Sequence, residues 1–188
     1  MNLSDLSEFV DISRQKIRKD VIEDFDGIDI EDSKLEEIVE KKVKKEIQDS
    51  IQTMNYQWNT MSSANGQTPF ISLFMYLDDT ENEREKEDTA LLIEEVLNQR
   101  LKGFKNENGA YVTPTFPKLL LALDENIMNE DSKYHYLLEL SAKCTAKRMN
   151  PDYISVKKMK ELKQGDVYPC MGFKTSMAHV KLGELIFQ

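Results

Sequence analysis

Hydrophobic positions in the first third of the chain repeat with a helical period. One apolar face runs over residues 3–25 and ends at Asp26-Gly27, where Gly27 is a candidate C-cap. A second face follows Ser33-Lys34-Leu35-Glu36, which has the form of a capping box. It continues to Trp58, so we predict a long helix that packs across a large neighbour or a dimer interface. The first predicted buried face comprises Leu3, Leu6, Phe9, Val10, Ile17, Val21 and Phe25.

After Asn65-Gly66 the pattern changes to alternating strands and helices. Residues 69–77 are nearly all apolar, which is typical of a strand buried on both faces. The predicted elements that follow are a helix over 84–104, a turn over 106–109, a strand over 116–123, a helix over 132–148, a short helix over 156–162 and a short strand over 167–172. This order, long N-terminal helices and then βαβαβ, predicts an α/β fold with a parallel sheet. A sheet this small leaves its edges open, which indicates a sector of a larger sheet.

Composition and charge narrow the class of protein. The chain is 40% hydrophobic and 31% charged, as is usual for a soluble globular protein. Its net charge of -9 argues against binding to a nucleic-acid backbone. No apolar run reaches the roughly 18 residues that a membrane span needs, and the N-terminus shows no secretory signal. Two cysteines, Cys144 and Cys170, cannot form a disulfide framework, so we expect a cytoplasmic protein.

Few residues form a pattern that points to metal or nucleophilic chemistry. His135 and His179 are the only histidines and have no partner at ligand spacing, so we predict no metal site. Cys144 lies on the apolar face of a predicted helix and is interpreted as a core cysteine. No carboxylate lies on an apolar face in a way that indicates a raised pKa. Neither a Ser-His-Asp arrangement nor a phosphate loop of the G-x-x-x-x-G-K form is present.

Five stretches, in order, match the pattern of one enzyme family. They are Ile51-Gln52-Thr53-Met54-Asn55-Tyr56-Gln57-Trp58-Asn59-Thr60-Met61, Asn65-Gly66-Gln67-Thr68-Pro69-Phe70, Thr113-Pro114-Thr115-Phe116-Pro117-Lys118-Leu119, Cys144-Thr145-Ala146-Lys147-Arg148-Met149-Asn150-Pro151-Asp152-Tyr153 and Met171-Gly172. Together they resemble the class III ribonucleotide reductases, the anaerobic glycyl-radical type. The resemblance spans residues 1–172 and is most specific from residue 51 onward.

This resemblance implies a fold and a chemistry. The fold is a ten-stranded α/β barrel of two half-barrels with a finger loop through its centre. The activity is the conversion of ribonucleoside triphosphates to deoxyribonucleotides for DNA synthesis. A glycyl radical near the C-terminus is passed to a cysteine at the finger-loop tip. An activating enzyme with an iron–sulfur cluster and S-adenosylmethionine installs that radical, and we expect no cofactor in this chain, with the family's structural zinc outside it.

The implied partners are another copy of the chain in a homodimer, or the remaining reductase polypeptide. Nucleotides and the radical-activating enzyme are further implied partners, and we expect no nucleic acid and no membrane. Lys118 and Arg148 are two basic residues of the matched stretches. Both are interpreted as structural, Arg148 because a cation in the last turn of its helix offsets the helix dipole.

The finger-loop tip departs from the family pattern Met-Gly-Cys-Arg, because Met171-Gly172 is followed by Phe173-Lys174. Phe173 occupies the position of the radical cysteine, and a phenyl ring forms no thiyl radical, so we expect no catalytic residue in this chain. Cys170 is an alternative thiol, but a packed thiol beside a turn is the interpretation we favour. The implied substrate-binding residues are Asn65, Gly66, Gln67, Thr68 and Met171. Residues 65–68 would meet phosphate or ribose oxygens, and a tight turn that requires glycine is the alternative.

We therefore expect three regions and keep three functions open. The regions are a helical segment over 1–64 with candidate dimer-interface helices, a partial α/β barrel over 65–172, and a tail over 173–188 that is unrelated to the family. We expect the reading frame to leave the reductase after Gly172 through a frameshift or an intron. The three functions are an inactive reductase fragment, one half of a split reductase, and a nucleotide-binding or dimer-interface module.

Overall fold

The computed structural model describes residues 1–25, 30–61, 66, 70–105, 108–114, 116–165 and 167–168. Its helices are α1 (Ser7–Asp24), α2 (Asp32–Thr60), α3 (Glu83–Lys102), α4 (Glu125–Met128), α5 (Tyr136–Arg148) and α6 (Val156–Leu162). Its strands are β1 (Ser72–Met75), β2 (Phe104–Lys105), β3 (Tyr111–Val112), β4 (Lys118–Leu123) and β5 (Asp152–Ser155). Single 3-10 turns precede α1 at Ser4–Leu6 and follow β1 at Leu77–Asp79.

The two N-terminal helices pack on each other and on α3. The long helix predicted from the sequence is confirmed, since α2 spans 29 residues. Its predicted apolar face is buried within this chain, because the fully enclosed positions of α2 join the same core cluster as α1 and α3. These buried positions of α2 are Val39, Val43, Ile47 and Ile51.

Two details of these helices differ from the sequence prediction. The capping box is wrong, because α2 begins at Asp32 after an N-cap at Glu31 that makes no side-chain cap bond. The extended backbone of Glu31 (φ -61°, ψ 133°) starts the helix before Ser33, which lies in the first turn. Phe9 is 62% exposed although it was predicted to be buried. Successive helical residues point about 100° apart, so burial of the adjacent Val10 directs Phe9 away from the core.

Strands β1, β4 and β5 form a parallel sheet in that order, which confirms the predicted βαβαβ arrangement. The third strand is β5, however, and not the predicted segment 167–172. Val167 and Tyr168 lie outside any strand, and residues 169–172 are outside the described residues. The prediction missed β5 because this strand has four residues, of which only Ile154 is aliphatic, and therefore shows no apolar run.

Both faces of the parallel sheet are apolar, as predicted for its first strand. One face joins the helical core through Leu73, Met75, Leu119 and Leu121. The other face forms a second cluster of Phe74, Tyr76, Leu120 and Ala122 with Val156 of α6. The crossover helices α3 and α5 add Ile93, Leu97, Leu137 and Cys144 to the first cluster. Both crossover helices therefore cover the same face of the sheet.

Two small pairings were not predicted. The predicted helix over 84–104 stops at Lys102, and β2 then pairs antiparallel with β3. At the N-terminus, residues 1–3 lie along the outer edge of β1. Phe74 N donates to Met1 O at 3.0 Å, Leu3 N donates to Phe74 O at 2.9 Å, and the terminal amine donates to Ser72 O at 3.1 Å. The N-terminal residues thus pair with an edge that the sequence analysis expected to be open.

Candidate functional site

The matched stretches around the strands meet at one edge of the sheet. The stretches 65–70, 113–119 and 144–153 lead into β1, β4 and β5, and parallel strands bring their amino ends together. We call this region the amino edge; its described residues are Gly66, Phe70, 113–114, 116–118 and 148–153. Here the rings of Phe70 and Phe116 lie 4.9 Å apart, edge to face. Phe70 is 78% exposed, so this aromatic pair faces outward.

Arg100 of α3 holds the segment that leads into β4. Its side chain is 3% exposed, and its guanidinium donates to Pro114 O at 2.6 Å and to Pro117 O. Burial lowers the pKa of Arg100 to about 10. No carboxylate of the described residues forms an ion pair with it, so backbone carbonyl dipoles hold this buried charge. Sequence reasoning missed Arg100 because a basic residue near the end of a polar helix resembles any solvated one.

Arg148 joins the ends of two helices. Its Nε and Nη2 donate to Leu101 O at 3.1 and 2.9 Å, Nη2 donates to Lys102 O at 3.0 Å, and Nη1 donates to Thr113 Oγ1 at 3.0 Å. The guanidinium therefore satisfies free carbonyls at the C-terminus of α3, where a cation is favoured. Space is tight here: a Cβ on Gly103, which has φ +75°, would lie 2.5 Å from Val112 O.

The polar groups of the stretch 144–153 also form hydrogen bonds within the chain. Thr145 Oγ1 lies 2.7 Å from the hydroxyl of Tyr153 and donates to Asn150 O at 3.2 Å. Asn150 Nδ2 donates to Arg148 O at 3.1 Å, within the turn where Met149 takes the left-handed conformation (φ 57°). These contacts fix the connection from α5 to β5. At the amino edge, the described side chains of the matched stretches thus hold neighbouring backbone segments in place.

The predicted substrate-binding residues fall mostly outside the part of the chain that the structure describes. Gly66 is described; it is exposed, has φ +74°, and a Cβ there would meet no described atom within 4 Å. This positive φ fits the predicted need for glycine in a turn. Asn65, Gln67, Thr68 and Met171 lie outside the described residues, as do Cys170 and Phe173. The joint placement of the five predicted substrate-binding residues therefore stays a prediction.

The opposite edge of the sheet carries polar residues that the sequence analysis did not select. We call it the carboxyl edge; it comprises Asp78, Asp79, Asp124 and Asn126 with Asn2 and Ser4 of the N-terminus. Asp79 Oδ2 accepts from Asn2 Nδ2 at 2.6 Å and from Ser4 Oγ. Asn126 Nδ2 donates to Asp78 Oδ1 at 3.2 Å. In open α/β sheets, ligands usually bind beyond the carboxyl ends of the strands.

Asp124 is the most enclosed carboxylate of the carboxyl edge. Its Oδ1 accepts from Ile127 N at 3.0 Å, which caps α4, and its Oδ2 accepts from Asp78 N at 3.2 Å. Burial raises the pKa of Asp124 despite these bonds. The sequence analysis did not select Asp124, because this residue follows a strand and lies on no apolar helical face. An aspartate directly after an apolar strand and three residues before Ile127 was the available signal for an N-cap.

Tyr76 directly follows β1 and lies near the carboxyl edge. Burial, with the nearby charge of Asp78, raises the pKa of Tyr76 to about 12.

Arg14 forms ion pairs with Asp88 and Glu40, away from the carboxyl edge. Arg14 Nη1 donates to Asp88 Oδ2 and Nε donates to Glu40 Oε1, both at 2.9 Å. Burial alone would lower the pKa of Arg14, but the bonds to Asp88 and Glu40 outweigh it and raise that pKa. These two ion pairs connect α1 with α2 and α3.

The described residues contain no cluster of three or more histidine, cysteine or acidic side chains placed to hold a metal ion. Cys144 is a buried core residue, as predicted, and its Sγ lies 3.9 Å from Leu97 O. His135 Nδ1 lies 3.1 Å from Ile127 O, while His179 is outside the described residues. Across the described helices, none combines the length and hydrophobicity needed to traverse a bilayer.

Comparison with known proteins links the chain to one family. The family model for anaerobic ribonucleoside-triphosphate reductase matches residues 3–184. This match extends past residue 172 into the segment that the sequence analysis separates as a tail, so the boundary at 173 stays a prediction.

Three curated relatives bear the name of this family. The chain is 33% identical over 125 residues to the anaerobic ribonucleoside-triphosphate reductase of Enterobacteria phage T4, which is 65% of this chain and 19% of that protein. It is 29% identical over 152 residues to the Haemophilus influenzae protein, 80% of this chain and 19% of the relative. The Escherichia coli protein is 33% identical over 113 residues, 59% of this chain and 14% of the relative. The chain thus spans less than a fifth of the relatives it matches, and it belongs to the anaerobic ribonucleoside-triphosphate reductase family.

Proposed function

We propose that this chain forms part of an anaerobic ribonucleoside-triphosphate reductase, which converts ribonucleotides to deoxyribonucleotides by radical chemistry. The match of the family model to residues 3–184 is the observation that carries this proposal. The remaining catalytic parts, including the glycyl radical and the thiol that it oxidises, come from further reductase polypeptide. The radical is installed by an activating enzyme with an iron–sulfur cluster and S-adenosylmethionine.

The parallel sheet is part of a closed ten-stranded barrel in this proposal. Strand order β1-β4-β5 follows the chain without reversal, and α3 and α5 lie on one face. A doubly wound sheet reverses its strand order and carries helices on both faces. A barrel instead keeps its crossover helices outside and fills its interior with apolar side chains. The cluster of Phe74, Tyr76, Leu120 and Ala122 supports such an interior.

Within this assembly, the substrate lies near residues 65–68 and Met171. The exposed, unhindered Gly66 supports close approach of a ligand to this backbone. Phe173 stands where the family has its radical cysteine, so the chain alone is inactive. We propose that the chain is organised as a helical segment over 1–64, a partial barrel over 65–172 and a tail over 173–188.

The partners are a second copy of the chain or the remaining reductase polypeptide, the activating enzyme and nucleotides. A cytoplasmic location belongs to the proposal, because nucleoside triphosphates and DNA precursors are cytoplasmic compounds. A nucleotide-binding or dimer-interface module is the second candidate function. The open groove of about 610 Å³ along α1 and α2, which Ile17, Lys42, Lys45, Glu46 and Asp49 line, supports it.

An anaerobic reconstitution tests the first function. A ribonucleoside triphosphate is incubated with the activating enzyme, S-adenosylmethionine and the chain, either alone or with a reductase polypeptide that carries the glycyl-radical segment and a finger-loop cysteine. We expect deoxynucleotide only in the mixture, and less of it when the chain carries Gln67→Ala. Gln15→Ala, the same change on the exposed surface of α1 and outside the matched stretches, is the matched control.

Each result of this reconstitution has a defined meaning. Product from the chain alone would refute the role assigned to Phe173. An inert mixture, together with calorimetric binding of a deoxynucleotide to the chain, would replace the reductase role by the binding module.

A further inference from the structure

The tip of the β2–β3 hairpin joins an asparagine to a glycine. Asn108 and Gly109 are both exposed. Gly109 has φ +75°, and a Cβ at this position would meet no described atom within 4 Å. Gly109 therefore carries no side chain that would hinder attack by its backbone nitrogen. Such a nitrogen can reach the side-chain amide of the preceding asparagine.

We propose that Asn108 is a site of spontaneous deamidation and isoaspartate formation. The nitrogen of Gly109 attacks Cγ of Asn108, so that a carbon–nitrogen bond forms in a five-membered succinimide ring. The bond from Cγ to Nδ2 breaks, and ammonia leaves with the proton that Gly109 N has lost. Water then opens the ring at either carbonyl and leaves aspartate or isoaspartate. No atom is oxidised or reduced, and water is the only co-reactant.

The short hairpin favours this reaction. Its ladder consists of two residue pairs, Phe104 with Val112 and Lys105 with Tyr111. A two-stranded ladder this short is only marginally stable and opens locally at low cost. Asn129 offers a contrast, because it is also exposed and outside a helix but precedes Glu130, which has a Cβ.

Isoaspartate at Asn108 would reach the amino edge of the sheet. The product adds one carbon to the backbone and one negative charge, so it shifts β3 against β2. Val112 O already lies close to Gly103, and the next residue, Thr113, accepts from Arg148 Nη1 at 3.0 Å. A shift of β3 therefore disturbs the contact between Arg148 and the segment that leads into β4.

Ageing of the folded 188-residue chain tests the proposal. The chain is kept in mildly alkaline buffer at physiological temperature, digested, and analysed for the mass gain of a hydroxyl that replaces an amino group. Fragment ions separate Asn108 from Asn106, and isoaspartyl methyltransferase labels the isoaspartate. We expect Asn108 to react at least about tenfold faster than Asn129, equivalent to about 1.4 kcal/mol in activation free energy.

Asn108→Gln is the matched variant, since glutamine would need a less favourable six-membered ring. It should retain the circular dichroism spectrum of the parent chain and lose the labelled peptide. Equal rates at Asn108 and Asn129 would overturn the proposal. Undiminished labelling of the same peptide in Asn108→Gln would also overturn it, because the reacting residue would then lie elsewhere.

Discussion

The amino edge and the carboxyl edge of the same small sheet bury side chains of opposite charge. At the amino edge, the buried cation of Arg100 binds the neutral carbonyls of Pro114 and Pro117. At the carboxyl edge, the buried anion of Asp124 accepts from the backbone N–H groups of Ile127 and Asp78. Both charges are thus held by backbone dipoles. The carbonyls precede β4 at the amino edge, whereas the N–H groups at the carboxyl edge belong to the 3-10 turn after β1 and to the first turn of α4. The sign of the charge follows from which of these groups faces the edge.

The comparison also separates family likeness from chemistry. The matched stretches 65–70, 113–119 and 144–153 lead into the amino edge, where their described side chains connect one segment to another. The carboxyl edge, where open α/β sheets usually bind ligands, holds residues outside those stretches. The matched motifs around β4 and β5 therefore record how the sheet is assembled, and residues 65–68 remain the part of the amino edge proposed to meet substrate.

The largest expected effect is the loss of Arg100. Arg100→Leu leaves two buried carbonyls unpaired, each costing about 1–3 kcal/mol, while the cost of burying the guanidinium is removed. We expect a net loss of about 3 kcal/mol in unfolding free energy, measured by urea denaturation. Arg100→Lys is the control, since it keeps the charge but lacks the two-pronged donor, and it should lose less. A leucine variant as stable as the parent would show that the amino edge does not depend on this cation.

How far the sequence could predict these edges depends on the range of the interactions. The long helix α2 and the βαβαβ order were predictable because hydrophobic period is a local property of the chain. Arg148 was predicted to offset the dipole of its own helix, whereas it binds the last carbonyls of α3, 47 residues away. The role of Arg100 likewise depends on a tertiary contact with Pro114 and Pro117. No local pattern reveals such partners.

The role of Asp124 could be predicted only in part from the local sequence. Its N-cap role follows from a short pattern, a polar residue between an apolar strand and a helix start, and was available in the sequence. Its burial depends on Asp78 and the end of β1, which the sequence alone does not place beside it. Residues such as Asp124 are therefore half predictable: the bond is local and the environment is not.

A smaller effect is expected at the carboxyl edge. Asp124→Ala removes the cap of α4 and the acceptor for Asp78 N, which should cost about 1–2 kcal/mol in unfolding free energy. Burial raises the pKa of Asp124 in the folded state, so the folded chain binds this proton more tightly than the unfolded chain. The stability that Asp124 contributes is then greatest below its unfolded pKa and declines as pH rises through its folded pKa.

Urea denaturation of parent and Asp124→Ala chains across that pH range measures this dependence. The difference in unfolding free energy between them should shrink as pH rises. Asp131→Ala, a change at an exposed carboxylate, is the control for general charge effects. A difference that grows with pH would mean that hydrogen bonding to the carboxylate outweighs burial at Asp124.

The smallest effect is expected from the ion pair on the outer surface of the amino edge. Lys118 Nζ lies 2.9 Å from Asp152 Oδ2, yet the two side chains are 44% and 53% exposed. Water and salt screen such a pair, so a double-mutant cycle with Lys118→Met and Asp152→Asn should give a coupling of about 0.5 kcal/mol or less, falling further at high salt. A coupling above about 1.5 kcal/mol would exceed the usual range for exposed pairs and would make surface charge, beside the buried Arg100, a determinant of this edge. A coupling near zero would leave the amino edge held mainly by the bonds from Arg100 to Pro114 O and Pro117 O, because those bonds are buried and the Lys118–Asp152 pair is exposed.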